Sequence, residues 1–239
     1  MVQNYPNATA YQKGYTQGLI DSGVHRVESC ECVTNAKVFG LEDSIRGAKF
    51  PISTDVSKLD VKMTDGIKAL AQSKKGEGHD QWLTGVIVQF DLTFSNKAWI
   101  EAERYHFLDF VSSQSTMHRI SRFDFEKLYN RFVDDRITEI IKEKVERYND
   151  YCTSITTGLI PQDIASQQAI EAKKKALYLD ILYNNPAGCL ITARMSTNYR
   201  QLKTIYSQRK NHRLPEWRTF CKWIETLPMS ELITGSAET

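Results

Sequence analysis

Cationic and amide side chains are concentrated in one stretch near the C-terminal end, STNYRQLKTIYSQRKNHRLPEWR, residues 196–218. Asn198 and Arg209 are eleven positions apart, so a helix that turns about 100° per residue places them within roughly 40° of one another. Leu202 and Ile205 lie on the same stripe and are expected to face the core. Arg209 would then lie at the inner boundary of the core, where a guanidinium needs an anionic partner. A carboxylate of this chain or the phosphate of a ligand would satisfy it, and the spacing leaves both open.

Three more residues of this stretch could do chemistry. His212 and Glu216 are four positions apart and could pair on one helical turn, although Pro215 is expected to begin a new helix after His212. Arg218 follows closely. The default expectation for this group is a capping or ion-pair role.

Two further groups of candidate residues lie elsewhere in the chain. His79 comes just before a predicted strand, where ligand contacts are common, although a lone histidine is more often structural. The polar run SSQSTMHRISRF, residues 112–123, contains His118, Arg119 and Arg122. It is either a solvated loop or a loop that closes over a ligand. The sequence contains no GxGxxG, GxxxxGK[ST], HExxH or GxSxG motif, and no ordered catalytic triad can be argued from it.

The elements that must position these residues follow from hydrophobic periodicity. Residues 86–94, VIVQFDLTF, alternate with a period of two, which predicts a half-buried strand with one apolar face. A second strand is predicted at CLITARM, residues 189–195, and residues 24–40 are predicted to form either short strands or one strand and a helical turn. Helices are predicted over 64–73, 97–110, 125–148, 164–182, from about 196 onward, and over 216–227. Helices outnumber strands without βαβ alternation, which predicts a single α+β domain over residues 1–239, with 1–22 as a loosely held arm.

Composition and net charge restrict the kinds of ligand, metal and membrane partner that the chain is expected to have. The chain has 31 basic and 29 acidic residues among 239, a net charge of +2, which disfavours a polynucleotide but permits a small anionic ligand. No segment approaches the length of apolar chain that spans a membrane, and the N-terminus lacks the pattern of a secretory signal. The five cysteines are scattered, and no second pair follows Cys30 and Cys32 at a zinc-site spacing. We therefore expect a cytoplasmic protein with reduced thiols and no metal.

Four segments of the chain have an order and spacing that resemble one known family. They are NAKVFG (35–40), GHDQWLTGVIVQFDLTF (78–94), STMHRISRF (115–123) and the stretch 196–218. In the last segment one register holds for Asn198, Arg200, Leu202, Arg209, His212, Glu216 and Arg218. Together with Pro186, these segments resemble the flavin-dependent thymidylate synthases over roughly residues 30–225.

The chain departs from that family at its signature, which reads Arg-His-Arg, seven residues, then Ser. Phe110, Val111 and Ser112 occupy the first three positions, and Ile120 occupies the last. His118 stands where the family usually has Glu. The Arg-His-Arg element, which helps to hold the flavin in the family, is therefore not kept.

The resemblance implies a fold, a reaction and a set of site residues. The fold is α+β, with an antiparallel sheet packed with several helices. The reaction methylates a pyrimidine deoxynucleotide, dUMP or a relative, at C5, using FAD and methylene-tetrahydrofolate, with NADPH reducing the flavin. The resemblance implies nucleotide binding by Arg122, Arg209 and, more weakly, Arg200, cofactor binding by His79, Asn198 and Ser115, and a homotetramer. It assigns no catalytic side chain.

Two alternatives to a methyltransferase remain open at this point. The chain could be a nucleotide-binding or interaction protein on the same scaffold, without flavin. The likeness could also extend to the fold alone, with the arginines paired to internal carboxylates.

Overall fold

The computed structural model describes residues 23–74, 76–160 and 164–235, so the predicted arm at residues 1–22 lies outside the described residues. Its strands are β1 Val24–Arg26, β2 Val33–Phe39, β3 Ile87–Ser95, β4 Asp109–Ser113 and β5 Leu190–Asn198. They form one five-stranded antiparallel sheet in the order β1-β2-β3-β5-β4. The prediction of an α+β fold with an antiparallel sheet is confirmed.

Helices outnumber strands among the described residues. The α-helices are α1 Leu41–Gly47, α2 Asp65–Ala71, α3 Asn96–Ala102, α4 Thr116–Arg119, α5 Phe125–Leu128, α6 Asp135–Thr156, α7 Ile164–Asn184, α8 Tyr199–Arg209, α9 Pro215–Ile224 and α10 Glu231–Thr234. Short 3-10 turns occur at Phe50–Ile52, Val56–Lys58, His79–Gly85 and Ile120–Arg122. None of the helices in the described part of the chain combines the length and the apolarity that a membrane crossing requires.

The strand with the clearest sequence pattern, β3, has the predicted two faces. Every second side chain is completely buried on one face, at Val88, Phe90, Leu92 and Phe94. The side chains between them are only partly buried. The alternation of apolar and polar residues therefore identifies this strand and its buried face, because the core covers only one face of it.

The helix predicted over residues 97–110 is wrong beyond Ala102. The chain turns there instead, with Tyr105 and Leu108 donating main-chain hydrogen bonds to Ala102 and Tyr105 at 3.0 and 3.2 Å. Both side chains are buried, so their helix-like spacing reflects two turns that contact the core. Residues Asp109–Ser113 then pair at the edge of the sheet as β4.

The helix predicted over residues 125–148 consists of two helices. The first, α5, ends at Leu128, and α6 begins after Asp134. The Asp134 carboxylate accepts a hydrogen bond from the Arg136 main-chain nitrogen at 2.9 Å and so caps the second helix. Apolar periodicity does not detect this break, because both helices contribute residues to one hydrophobic cluster.

The described chain divides into two compact units. The described residues of unit 1 fall within Met1–Leu92, Ala102–Ser112 and Ala193–Thr239, and those of unit 2 fall within Thr93–Glu101 and Ser113–Thr192. Unit 1 has an aromatic core in which the Phe90 ring lies 5.6 Å from Phe220 and 5.0 Å from Trp223. The core of unit 2 consists of buried aliphatic residues, Ile120, Ile141, Val145 and Ile181. The prediction of a single domain over 1–239 stays a prediction.

Candidate functional site

The stripe predicted on the helix near the C-terminus is present on α8. Leu202 and Ile205 are completely buried, and Arg209 is 8% exposed. Asn198 stands at the N-cap, where its Oδ1 accepts a hydrogen bond from the Gln201 main-chain nitrogen at 2.9 Å. This contact gives Asn198 a structural role in starting α8, while its role towards a cofactor stays a prediction.

Arg209 is held in an aromatic cage in unit 1. Its Nε donates a hydrogen bond to the Tyr105 hydroxyl at 2.6 Å. Its guanidinium also lies over two rings, 5.5 Å from the centroid of Tyr105 and 5.1 Å from that of Trp217. Burial raises the pKa of the Tyr105 phenol, so Tyr105 stays neutral and acts as an acceptor. Arg209 also borders a cavity of about 290 Å³ with Arg104 and Gln208.

Arg200 is paired with a carboxylate of this chain. Its Nε donates to Asp80 Oδ1 at 3.0 Å, and its NH1 donates to Gln81 Oε1 at 2.6 Å. The second Asp80 oxygen accepts from Lys203 Nζ at 3.0 Å. Asp80 and Lys203 are 7% and 8% exposed, so this cluster joins α8 to the 3-10 turn His79–Gly85 through a buried charge pair. These contacts are those expected if Arg200 pairs with a carboxylate of this chain. Its role in nucleotide binding stays a prediction.

Two of the three side chains predicted after α8, His212 and Arg218, bind the main chain of the turn that follows it. Arg218 NH1 donates hydrogen bonds to the main-chain oxygens of His212 and Arg213 at 2.6 and 2.8 Å. His212 Nδ1 accepts from the Leu214 main-chain nitrogen at 3.2 Å, and Pro215 occupies the first position of α9. His212 and Arg218 therefore fix the turn between α8 and α9, whereas α9 itself has no side-chain cap.

His79 is exposed at the first position of its 3-10 turn, directly after Gly78. Gly78 has a φ of 78°, a left-handed conformation that favours glycine. The imidazole borders a cavity of about 1050 Å³ formed by the segment 47–82.

Arg122 belongs to a different site, in unit 2, which we call the cationic cleft. It is a cleft of about 440 Å³ between the polar loop and the long helices α6 and α7, and its walls include His118, Arg119, Arg122, Tyr148, Lys174 and Tyr178. Ile120 is completely buried in the aliphatic core, whereas Arg119 and Arg122 on either side of it are exposed. The buried isoleucine thus fixes the loop that carries the two arginines.

The arginines of the cationic cleft are not neutralised by the residues around them. Neither the Arg119 nor the Arg122 side chain forms a hydrogen bond or ion pair with a residue in the described ranges. Burial and, secondarily, a hydrogen bond with Cys152 raise the pKa of Tyr148 to about 12. Burial also raises the pKa of Tyr178, against the opposing effect of the arginines. Both phenols are therefore neutral at pH 7, and two guanidiniums remain available to an anion.

Ser115 precedes α4 in the same loop. It stands at the N-cap position but accepts no side-chain hydrogen bond there. Its main-chain oxygen accepts from the main-chain nitrogens of His118 and Arg119 at 3.3 and 3.1 Å. The structure therefore leaves the role of its hydroxyl towards a cofactor as a prediction.

Phe110, Val111 and Ser112, which occupy the positions of the family's Arg-His-Arg element, lie on β4, an exposed strand at the edge of the sheet. All five residues of β4 are exposed, with Phe110 at 50% and Val111 at 62%. None of these five side chains carries a positive charge that could hold a pyrophosphate. Within the described residues, no group of three His, Cys, Asp or Glu side chains could hold a metal ion.

Several residues of these sites were missed by the sequence reasoning. Lys174 and Tyr178 are four positions apart on α7, and Tyr148 and Cys152 have the same spacing on α6, so each pair shares a helix face. That signal identifies the faces, but not that the two faces meet across one cleft. The cage of Tyr105 and Trp217 around Arg209 left no local signal, because its members come from three separate segments.

Comparison with known proteins supports the fold. No model of a protein family matches the chain, and no curated protein matches it in sequence. Solved structures do match, among them two of the flavin-dependent thymidylate synthase ThyX from Helicobacter pylori, each with FAD and dUMP. They have TM-scores of 0.51 and 0.52 at 14% and 13% identity, and in each case 86% of this chain and 95% of that chain are covered. The chain therefore has a ThyX-like fold, as the resemblance implies.

Proposed function

We propose that this chain binds a pyrimidine nucleotide such as dUMP through its phosphate, on a ThyX-like scaffold. The observation that carries the proposal is the cationic cleft, which Arg119 and Arg122 line together with two neutral tyrosines, and in which the two guanidiniums have no partner among the described residues. Two guanidiniums match the charge of a phosphate dianion and can form charge-assisted, bidentate hydrogen bonds with it. The likeness to structures that contain dUMP supports the choice of nucleotide.

The two tyrosines of the cleft suit the rest of such a ligand. The rings of Tyr148 and Tyr178 are 5.0 Å apart, and the Tyr178 hydroxyl donates to the Thr116 main-chain oxygen at 3.4 Å. Tyr178 is thus held between the arginine loop and α6. A base or ribose that follows the phosphate would meet an aromatic wall at this point.

Removal of one guanidinium tests the proposal. Arg122→Ala should weaken dUMP binding by about 10- to 100-fold, which corresponds to about 1.4–2.8 kcal/mol for a lost hydrogen bond to a charged group. The matched control is Arg136→Ala, which removes the same charge from unit 2 at a surface position whose side chain is 87% exposed and paired with Asp134. Isothermal titration calorimetry measures both. Equal affinity of Arg122→Ala and the unchanged protein would refute the assignment.

A second candidate function is the complete methylation reaction. The likeness to complexes with FAD and dUMP favours it. It would use FAD, with methylene-tetrahydrofolate and NADPH as co-substrates, in a cytoplasmic homotetramer. The described residues fit FAD poorly, because β4 carries Phe110 and Val111 at the flavin-holding positions and the Asn198 side-chain oxygen is used by the α8 cap. For this reason nucleotide binding without flavin stands first.

Native mass spectrometry of the untagged protein, with and without added FAD and dUMP, separates the two candidates. A tetramer that carries about one flavin per chain would favour the methyltransferase, and tritium release from labelled dUMP would then test turnover. A species that takes up dUMP but no flavin would support the nucleotide-binding protein. Uptake of neither ligand would refute both.

A further inference from the structure

A large cavity in unit 1 has no part in nucleotide binding at the cationic cleft. It has a volume of about 1050 Å³ and is formed by the continuous segment 47–82. This size reaches the upper end of the range of about 300–1,000 Å³ in which proteins bind small ligands. The cavity shares no residue with the cationic cleft.

The walls of this cavity are mainly apolar. The apolar contributors are Pro51, Ile52, Leu59, Ile67, Leu70 and Trp82. The charges on the wall are paired: Lys49 binds the Asp60 carboxylate, and Lys58 lies 3.1 Å from Asp55. A ligand with a net charge would therefore find no unpaired counter-charge, whereas an uncharged ligand would lose little hydration on entering.

Apolar side chains of the same segment are also exposed to solvent. Ile52, on the wall, is 90% exposed, and Phe50, Val56 and Val61 are 44%, 43% and 47% exposed. Single exposed apolar residues are common, but these four lie within twelve positions of the chain, and we call them the apolar patch; exposed apolar groups of this kind often mark a binding surface. The patch lies in the segment that forms the cavity.

Hydrogen bonds hold this segment open. Arg46 NH2 donates to the Val56 main-chain oxygen at 3.0 Å, and Lys49 Nζ donates to the Asp60 main-chain oxygen at 3.1 Å. Thr64 Oγ1 accepts from the Ile67 main-chain nitrogen at 3.4 Å and starts α2. Because side chains fix both the loop and the helix, the cavity is formed before any ligand arrives.

We propose that this cavity is a binding site for an uncharged, largely apolar small molecule with a planar ring. Trp82 contributes an aromatic side chain to the wall, and His79 contributes an imidazole with a donor and an acceptor. The paired charges of the wall exclude an anionic ligand, and the volume is that of a small molecule. A second copy of the chain covering the patch is the competing occupant.

Gly66 provides a clean way to block the cavity. It lies on α2 and borders the cavity, and a Cβ added there would meet only Thr64 Oγ1, at 3.9 Å. Gly66→Phe should therefore place a ring in the cavity without disturbing the helix. Gly66→Ala is the matched control, because it makes the same change of backbone freedom with no bulk.

The probe is N-phenyl-1-naphthylamine, a neutral two-ring dye that fluoresces in apolar surroundings, titrated into the full chain. We expect binding to the unchanged protein, a loss of at least tenfold in affinity for Gly66→Phe, and a change of less than twofold for Gly66→Ala. We expect the sulfonated analogue 8-anilinonaphthalene-1-sulfonate to bind more weakly than the neutral dye. Saturating dUMP should leave the dye affinity unchanged, so the outcome does not depend on the cationic cleft.

Three results would overturn the proposal. The first is absence of dye binding, and the second is equal affinity in Gly66→Phe and the unchanged protein. The third comes from sedimentation velocity at the same concentrations: an oligomer that dissociates in Ile52→Ser, while no dye binds, would make the patch a surface between copies. Tighter binding of the sulfonated dye would refute the neutral character of the ligand.

Discussion

Removing one hydroxyl group tests whether Arg209 is a structural residue or a ligand residue. The Tyr105 hydroxyl accepts from Arg209 Nε at 2.6 Å and donates to Gln208 Oε1 at 3.0 Å. Tyr105→Phe removes both contacts but keeps the ring, which lies 5.5 Å from the guanidinium and 5.8 Å from Trp217. Packing is therefore retained, and the change isolates the hydrogen bonds.

The expected cost follows from burial and charge. A hydrogen bond to a charged group contributes about 1.5–3 kcal/mol. Arg209 is only 8% exposed, so water cannot readily replace the lost acceptor. We expect Tyr105→Phe to lower the free energy of unfolding by about 2 kcal/mol, which for a chain of this length lowers Tm by roughly 4–8 °C.

The partner substitution completes a double-mutant cycle. Arg209→Met keeps an unbranched side chain but removes the hydrogen bond and the two cation–ring contacts, which contribute about 0.5–2 kcal/mol each when buried. Part of this loss of stability is offset, because methionine has no charge that must be removed from water on folding. We expect a net decrease of about 2–4 kcal/mol, and a coupling energy with Tyr105→Phe of about 1.5–3 kcal/mol.

Urea unfolding followed by tryptophan fluorescence measures the stabilities, and calorimetry with dUMP measures binding. A structural Arg209 requires a clear loss of stability in both variants and a positive coupling energy. The reasoning is refuted if Arg209→Met unfolds within about 0.5 kcal/mol of the unchanged protein and has lost dUMP binding. That combination would make Arg209 a phosphate ligand.

Two further predictions concern stability. Asn198→Ala should destabilise the protein by about 1 kcal/mol through loss of the α8 cap. The control is Ser115→Ala, at an N-cap position without a side-chain hydrogen bond, which should change the free energy of unfolding by less than about 0.5 kcal/mol in thermal unfolding. Equal effects of the two substitutions would contradict the cap assignment. The hydrogen bond from Lys144, with the nearby Arg147 charge, holds the pKa of Asp180 below its usual value. Its contribution, about 0.5–1 kcal/mol for such an exposed pair, is present above pH 4 and is lost as the pH falls through the folded-state pKa. Asp180→Asn should therefore be destabilising in urea unfolding at pH 7 and progressively less destabilising as the pH falls below 4, and a difference that does not change with pH would contradict it.

The sequence by itself determined those strands and helices whose local apolar pattern agrees with the faces that the tertiary structure buries. The alternation in β3 predicted its buried face, because a strand covered on one side selects apolar residues at every second position. The stripe of Leu202, Ile205 and Arg209 on α8 was equally readable, since helical spacing alone fixes which side chains share a face. The α+β fold class followed from the number and order of the predicted helices and strands, and the likeness to thymidylate synthases followed from the order and spacing of four short segments.

The sequence failed where a distant partner decided the local structure. The spacing around Tyr105 and Leu108 is helical, yet the chain turns there, because those side chains fill the core and the next residues gain main-chain partners at the edge of the sheet as β4. The break before α6 was missed because Tyr129, directly after α5, pairs with Cys189, sixty residues along the chain, and Asp134 then caps α6. Neither feature changes the apolar period.

The candidate sites show the same division. Sequence spacing placed Arg122 in a polar loop and Arg209 on an inner stripe, but it left open whether either guanidinium had a partner inside the protein. Tertiary structure decided this, by bringing Tyr105 to Arg209 and Asp80 to Arg200 across long sequence separations while leaving Arg119 and Arg122 unpaired among the described residues. The sequence shows which side chains are charged. Only the fold determines which of them already have a partner inside the protein and which can bind a ligand.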